Sequence, residues 1–153
     1  MKKKIVIFVV FMLVACLLAC GNNTINSNAE SFGNNVRKIE STQVELGDLT
    51  EFEWDYLYTF SPYTPKETIE DVVGFESKDI RGNIVSEGTV YLLFVKDNKV
   101  VANVCSSVDS LGYHISFGSY DKYLCIESSK KAVFSVETED NVKYLEYVQD
   151  EVY

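Results

Sequence analysis

The residues of this chain that could supply a cysteine–histidine nucleophile are four cysteines and a single histidine. Cys105 and Cys125 flank His114 in the sequence, and a thiol activated by a histidine base would make a nucleophile for a hydrolase. That mechanism needs a third group to orient the histidine, and the spacing identifies none. A lone histidine within an apolar strand is more typical of a structural role, so this Cys–His pair is a minor hypothesis.

The sequence otherwise predicts no catalytic residues, no cofactor and no metal site. It contains no nucleophile elbow, no phosphate-binding glycine loop and no paired Cys-x-x-Cys. The carboxylates are scattered without the ligand spacing of an EF-hand, and a catalytic zinc site needs more than one histidine.

The first twenty residues have the pattern of an export signal. Three lysines precede an apolar stretch that runs from Ile5 to Leu18, and the small residue Ala19 precedes Cys20. This apolar stretch is shorter than the roughly 20 residues needed to cross a bilayer, so the pattern favours cleavage over a permanent span. LLAC, at residues 17–20, resembles the lipobox of bacterial lipoproteins, in which the cysteine thiol is acylated and becomes the new N-terminus. The resemblance implies a signal peptide at 1–19 and lipidation of Cys20.

Two alternatives to this cleavage site remain open. LVAC at residues 13–16 offers a second lipobox at Cys16, but cleavage there would leave Leu17 and Leu18 on the mature chain. A plain secretory signal cut near Ala19 would leave Cys20 as a free thiol. Lipidation of Cys20 is favoured, and two acyl chains would anchor the protein stably to the extracytoplasmic face of the cell membrane.

Without residues 1–19 the chain carries 11 basic and 23 acidic side chains, a net charge of −12. An acidic surface repels nucleic-acid phosphates, so nucleic acid is not expected as a partner. Such a surface favours a basic envelope or secreted protein, a basic peptide or a cation. The alternative is that the charge only keeps a tethered domain soluble.

The chain from Cys20 onward is long enough for one domain with a hydrophobic core. Residues 20–35, rich in asparagine and serine, are predicted to be the lipidated cysteine and a flexible tether with a reach of roughly 20 Å. Residues 36–153 are predicted to form a single domain. Cys105 and Cys125 would then be an even pair in a compartment that permits disulfides, and both a bridge between them and two separate buried thiols are open interpretations.

The stretch EFEWDYLYTF predicts a strand with an aromatic face, because its side chains alternate with a period of two. That face would carry Trp54, Tyr56, Tyr58 and Phe60. A helix is expected to follow, with Thr64 as its N-cap, Pro65 at its first turn and Glu67 completing a capping box. Gly74 can end this helix in a left-handed conformation.

The rest of the chain predicts strands. TVYLLFVKDNKVVANVC reads as a hairpin turning at Asp97-Asn98, with a first strand that is apolar on both faces and therefore central in its sheet. Shorter strands are expected at YHISF, KYLCIES and AVFSVETE, and NVKYLEYVQ favours a strand over a helix. The predicted fold class is α+β: a mainly antiparallel sheet of about five to seven strands with one short capped helix packed on one face.

The exposed part of the aromatic stretch is the best candidate for a binding surface. Trp54, Asp55, Tyr58 and Tyr63 combine large, rigid contact groups with a carboxylate, as binding hot spots do. The alternative is that the aromatic rings form the core against the helix and that Asp55 bonds to nearby backbone.

The motif W-D-x-x-Y-x-F-x-P-Y-T-x-x-E-x-I, followed by G-F, resembles that of small bacterial lipoproteins without an assigned activity. The resemblance covers roughly residues 52–104 and implies lipidation and a compact α+β domain, but no mechanism. The leading hypothesis is a non-enzymatic extracytoplasmic module that binds a protein or peptide. The alternative is an inhibitor or immunity-type lipoprotein that neutralises a basic secreted enzyme or toxin.

Overall fold

The structure, a computed structural model, describes residues 24–82 and 88–148. In this part of the chain the α+β class is confirmed, with eight strands in two four-stranded sheets rather than one sheet. The helices are α1, of which residues 24–37 are described, α2 (Lys66–Val73) and α3 (Val108–Leu111), with a 3-10 helix at Leu46–Leu49. The strands are β1 (Gln43–Glu45), β2 (Tyr56–Phe60), β3 (Thr89–Lys96), β4 (Lys99–Ser107), β5 (Tyr113–Ser116), β6 (Tyr123–Glu127), β7 (Val133–Glu139) and β8 (Val142–Tyr147).

We name the two sheets by their strand orders. Sheet I has the order β1-β7-β8-β5, and its β5–β8 pair is parallel. Sheet II has the order β4-β3-β2-β6 and is antiparallel throughout. The segment NVKYLEYVQ contributes β8, which confirms it as a strand.

One hydrophobic core joins both sheets. Phe94 of β3, Phe134 of β7 and Leu145 of β8 are all buried in it. Strand β3 is buried on both faces, because Leu92 and Phe94 face this core while Leu93 faces a second cluster under α2. The predicted central strand, covered on one side by a helix, is therefore confirmed.

The predicted hairpin is also confirmed. Strands β3 and β4 pair up to Lys96 and Lys99, so that Asp97 and Asn98 form a two-residue turn. Both residues have positive φ, 49° and 55°. That backbone suits the right-handed twist of the flanking strands, and Asp and Asn adopt it at lower cost than most residues.

Helix α2 forms where it was predicted, but without the capping box. Gly74 ends the helix with a left-handed φ of 85°. The Ile69 and Val73 side chains of the helix are buried against the sheet. Thr64 does not cap the helix: its hydroxyl donates to the Ser61 carbonyl oxygen at 2.7 Å. That hydrogen bond closes the turn between β2 and α2, so the side chain stabilises the turn instead of the helix terminus.

The tether prediction is wrong from residue 24 onward, because residues 24–37 form helix α1. Phe32 and Val36 of this helix are fully buried in the shared core, and the Asn28 side chain donates to the Val101 carbonyl oxygen of β4 at 2.9 Å. The segment is rich in asparagine, which favours a tether, but it also contains an apolar stripe at helical spacing: Ile25, Ala29, Phe32 and Val36. The folded unit therefore includes residues before 36, while the predicted signal peptide and Cys20 lie outside the described residues.

Candidate binding surface

Trp54 belongs to the core and not to a binding surface. Its side chain is 8% exposed, and its ring packs edge-on against Phe94 with centroids 5.6 Å apart. The indole N–H donates to the Thr50 hydroxyl at 3.0 Å, so its polar atom is satisfied inside the protein. Strand β2 begins only at Tyr56, which is why Trp54 does not share the outer face that strict alternation predicted.

Asp55 stabilises the β3–β4 hairpin. Its Oδ2 accepts a hydrogen bond from the Asp97 backbone N–H at 2.9 Å, and its Oδ1 lies 3.7 Å from the Lys96 ammonium nitrogen. The Asp55 carboxylate therefore stabilises the turn. This agrees with the alternative in which Asp55 bonds to nearby backbone. It adds little to a binding surface.

The two other predicted residues do reach the surface. Tyr63 is 56% exposed and has a left-handed φ of 65°. It follows Pro62 in a turn in which the Thr64 N–H donates to the Ser61 carbonyl oxygen at 3.4 Å, an arrangement like a type II turn. Tyr58 is half-buried in the middle of β2.

Strand pairing in sheet II brings Tyr58 together with two more exposed tyrosines. Tyr56 and Tyr58 lie on one face of β2 with ring centroids 6.0 Å apart. Tyr123 pairs with Phe60 in the β2–β6 register, with rings 5.9 Å apart. We call Tyr56, Tyr58 and Tyr123 the tyrosine surface. Tyr56 is 42% and Tyr123 44% exposed, so this part of the outer face of sheet II is accessible.

Helix α2 explains why the tyrosine surface is only partly covered. The buried side chains of α2 pack with those of β3 and the start of β4, such as Leu93 and Val100. Within the described part of the chain, α2 leaves the outward side chains of β6 exposed. The outer face of sheet II is thus divided into a covered half and an accessible aromatic half.

The tyrosine surface is uncharged and lies beside a carboxylate. Burial, followed by the neighbouring Cys125 thiol, raises the pKa of Tyr58, so its hydroxyl stays protonated at neutral pH. Glu127 is exposed and pairs with Tyr56 in the β2–β6 register. Neutral aromatic rings beside this carboxylate suit a partner with positive charge.

Of the two interpretations left open for the cysteines, the disulfide does not form: both are free thiols, with Cys105 half-buried and Cys125 exposed rather than buried. Cys105 lies on β4 and Cys125 on β6, with β3 and β2 between them. Three strand spacings amount to about 14 Å, whereas the two Cα atoms of a disulfide lie within about 7 Å. The sequence could not reveal this separation, since it does not specify strand order.

The structure gives no support to the Cys–His nucleophile, because both cysteines lie on sheet II and His114 lies on sheet I. His114 alternates with Tyr113 and Ile115, which are buried in the shared core, so its side chain lies on the outer side of sheet I. Cys125 lies on the outer side of sheet II, because its neighbour Ile126 faces that core. Neither cysteine lines the small cleft that His114 lines.

Slow thiol chemistry is expected from this arrangement. Partial desolvation raises the pKa of both the half-buried Cys105 and the solvent-exposed Cys125, so the reactive thiolate is scarce at pH 7. In the chain from residue 21 onward, we expect both thiols to react with iodoacetamide more slowly than in the denatured chain at pH 7, and faster as the pH rises through the raised pKa values. Mass spectrometry should find two labels after denaturation without reductant. Rapid labelling of the native protein at pH 7, or fewer than two labels, would contradict the expectation.

A small cleft lies where the ends of the central strands of sheet II approach β5, an edge strand of sheet I. It has a volume of about 200 Å³ and is lined by the end of β2, the start of β3 and most of β5, including His114 but neither cysteine. Ligand sites for drug-sized molecules have volumes of about 300–1,000 Å³. The Tyr120 hydroxyl in this cleft lies 3.4 Å from both the Thr59 hydroxyl and the Phe60 carbonyl oxygen, so this hydroxyl already has partners, whereas the Nδ1 atom of His114 is buried without one among the described residues. The tyrosine surface is the stronger candidate.

Neither a metal-binding cluster nor a membrane-spanning helix is found in the residues that the structure describes. No three of their histidine, cysteine, aspartate and glutamate side chains are grouped so that they could hold a metal ion. None of their helices has the length and apolar character of a membrane-spanning helix.

Comparisons with known proteins identified no relative of this chain. No family model matches the chain, and neither a curated protein nor a solved structure matches it.

Sequence reasoning missed part of the tyrosine surface. Tyr123 was placed in a strand, but the pairing of that strand with β2, which brings it beside Tyr58, was not predictable from local pattern. One local signal was present in the sequence: the non-aliphatic residues Tyr123, Cys125 and Glu127 alternate with aliphatic ones. This pattern marks the outward side of β6.

Proposed function

We propose that this protein is a lipoprotein anchored through Cys20 on the extracytoplasmic face of the cell membrane, and that its domain binds a basic protein or peptide through the tyrosine surface. The observation that carries the binding proposal is the exposure of Tyr56 and Tyr123 on the uncovered half of sheet II. Tyrosine offers a large contact area and loses little conformational entropy when it is ordered, because its side chain has only two rotatable torsions. Exposed tyrosines of this kind are common hot spots of protein interfaces.

The charge of the domain supports a basic partner. Without residues 1–19 the net charge is −12, and Glu127 supplies an exposed carboxylate opposite Tyr56 in the β2–β6 register. Electrostatic attraction of this sort raises the association rate and weakens with added salt. Binding is therefore expected to be salt-sensitive and to depend on the tyrosine rings.

A pull-down with matched variants tests the proposal. The chain from residue 21 onward, which retains α1, is immobilised and exposed to envelope and secreted fractions of its source. Tyr123→Ala is compared with Tyr144→Ala, which removes a tyrosine that is 37% exposed on the opposite sheet. We expect one basic protein whose recovery falls about tenfold with Tyr123→Ala, in line with the loss of a hot-spot ring. Tyr144→Ala should leave recovery unchanged.

The outcomes separate the functional alternatives. Equal loss with both variants, or recovery that neither variant changes, would exclude the tyrosine surface as the binding site. A partner whose catalytic activity is lost in the complex is the result expected of the inhibitor or immunity-type alternative. A partner that keeps its activity is the result expected of a recruiting module.

A further inference from the structure

Helix α1 places the folded domain close to the proposed lipid anchor. Only residues 21–23 separate Cys20 from residue 24, the first described residue of the helix. An extended chain spans at most about 3.6 Å per residue, so the Cα atoms of residues 20 and 24 are within about 14 Å of each other. Because Phe32 and Val36 fix α1 in the core, this end of the domain has to stay near any membrane to which Cys20 is attached.

The surface next to the start of α1 has a different charge from the rest of the protein. Ile25 and Asn26 line a depression of about 220 Å³ together with Lys78, Asp79, Arg81 and Asn103. Lys78 and Arg81 are exposed, and neither forms an ion pair with another described residue. Asp79 is the one carboxylate in the lining. This patch therefore carries a net positive charge on a chain that is otherwise strongly acidic.

We propose that Lys78 and Arg81 contact anionic lipid headgroups and orient the domain on the membrane with this patch facing the bilayer. The proposal rests on the lipid anchor at Cys20, which brings the patch to the membrane. Basic side chains are attracted to anionic headgroups within about one Debye length, roughly 8 Å at physiological ionic strength. The acidic remainder of the domain is repelled by the same headgroups, so attraction and repulsion favour one orientation.

Lys66 is a third cation near this patch, but it differs from Lys78 and Arg81 because it forms an ion pair. Lys66 approaches the backbone at Gly82, but its ammonium nitrogen is 3.3 Å from a Glu70 carboxylate oxygen. Its charge is therefore largely compensated. The test concentrates on Lys78 and Arg81 for that reason.

The experiment uses the full chain, lipidated in cells and reconstituted into vesicles. In a Cys105→Ser, Cys125→Ser background, a fluorophore is attached to Glu76→Cys, two residues from Lys78, or to Glu139→Cys at the end of β7. The vesicles contain a headgroup-attached quencher and either anionic or only zwitterionic lipid. We expect the label at position 76 to be quenched at least threefold more than the label at 139 in anionic vesicles, with a much smaller difference in zwitterionic ones.

Charge reversal supplies the specific control. Lys78→Glu with Arg81→Glu should remove the difference between the two labels, whereas Lys122→Glu with Lys130→Glu, an equal change of charge beside β6, should preserve it. Equal quenching of the two labels, or a difference that survives reversal at 78 and 81, would overturn the proposal.

Flotation distinguishes failure of the orientation from failure of the anchor. The unmodified chain is expected to float with the vesicles and the Cys20→Ala chain to remain behind. If the unmodified chain does not float, the anchor is wrong, and the orientation proposal is overturned with it. If it floats but the two labels are quenched equally, only the orientation is wrong.

Discussion

Replacing Phe32 by alanine is expected to lower the free energy of unfolding by about 3–5 kcal/mol, the range found for large aromatic truncations in protein cores. Phe32 is fully buried, with its ring centroid 5.4 Å from that of Phe94 and 6.3 Å from that of Tyr113. Since domains of this size are stable by about 5–15 kcal/mol, the loss would be a large part of the total. Urea unfolding of the chain from residue 21 onward, followed by circular dichroism, measures it.

The control lies on the same helix. Glu30 is exposed, and Glu30→Ala is expected to change the stability by no more than about 0.5 kcal/mol, as surface substitutions usually do. If the segment were a flexible tether, Phe32→Ala would be as mild as Glu30→Ala. Equal effects of the two substitutions would therefore show that α1 does not pack in the core.

Helix α1 also illustrates why part of the fold escaped prediction. The segment from 21 to 35 contains six asparagines, and asparagine favours turns and caps over helix interiors because its side chain competes for backbone hydrogen bonds. The apolar stripe from Ile25 to Val36 has only four members, and three of them fall within the segment that composition assigned to a tether. Burial of Phe32 and Val36 in the core outweighs the poor helix propensity, and that contribution comes from residues distant in sequence.

Local signals, in contrast, were sufficient for the central hairpin. The apolar run of β3, the Asp97-Asn98 pair and the apolar run of β4 lie next to each other in the chain, so turn geometry alone determines their pairing. The end of α2 at Gly74 is local in the same sense. These features were predicted correctly because no distant residue is needed to specify them.

The candidate site depended on long-range pairing and was only partly predictable. Tyr58 and Tyr123 become neighbours because β2 pairs with β6, which lies some sixty residues further along the chain. The same topology separates Cys105 from Cys125 and places His114 on the other sheet. Residue type identified the aromatic stretch as important, while strand order decided which of its rings are exposed.

Trp54→Ala is expected to destabilise the domain by about 3–5 kcal/mol rather than to remove a binding contact, because the indole packs in the core. The substitution would remove the ring that contacts Phe94 and leave the Thr50 hydroxyl without its N–H donor. Trp54→Phe keeps most of the apolar volume and is expected to cost less, about 1–2 kcal/mol, through the lost hydrogen bond and the smaller ring. Chemical denaturation followed by far-ultraviolet circular dichroism compares the variants, because Trp54 is the only tryptophan of the chain and its replacement removes the tryptophan fluorescence signal.

The folded Trp54→Phe variant then separates stability from recognition. Because Trp54 is 8% exposed and lies outside the tyrosine surface, Trp54→Phe should retain the partner that Tyr123→Ala loses. The wild-type tryptophan should also emit at the short wavelengths of a buried indole and shift to longer wavelengths on unfolding. Loss of the partner with Trp54→Phe at unchanged stability would contradict this expectation, and so would a solvent-like emission from the native protein. Either result would place Trp54 at the interface and extend the binding surface beyond the three tyrosines.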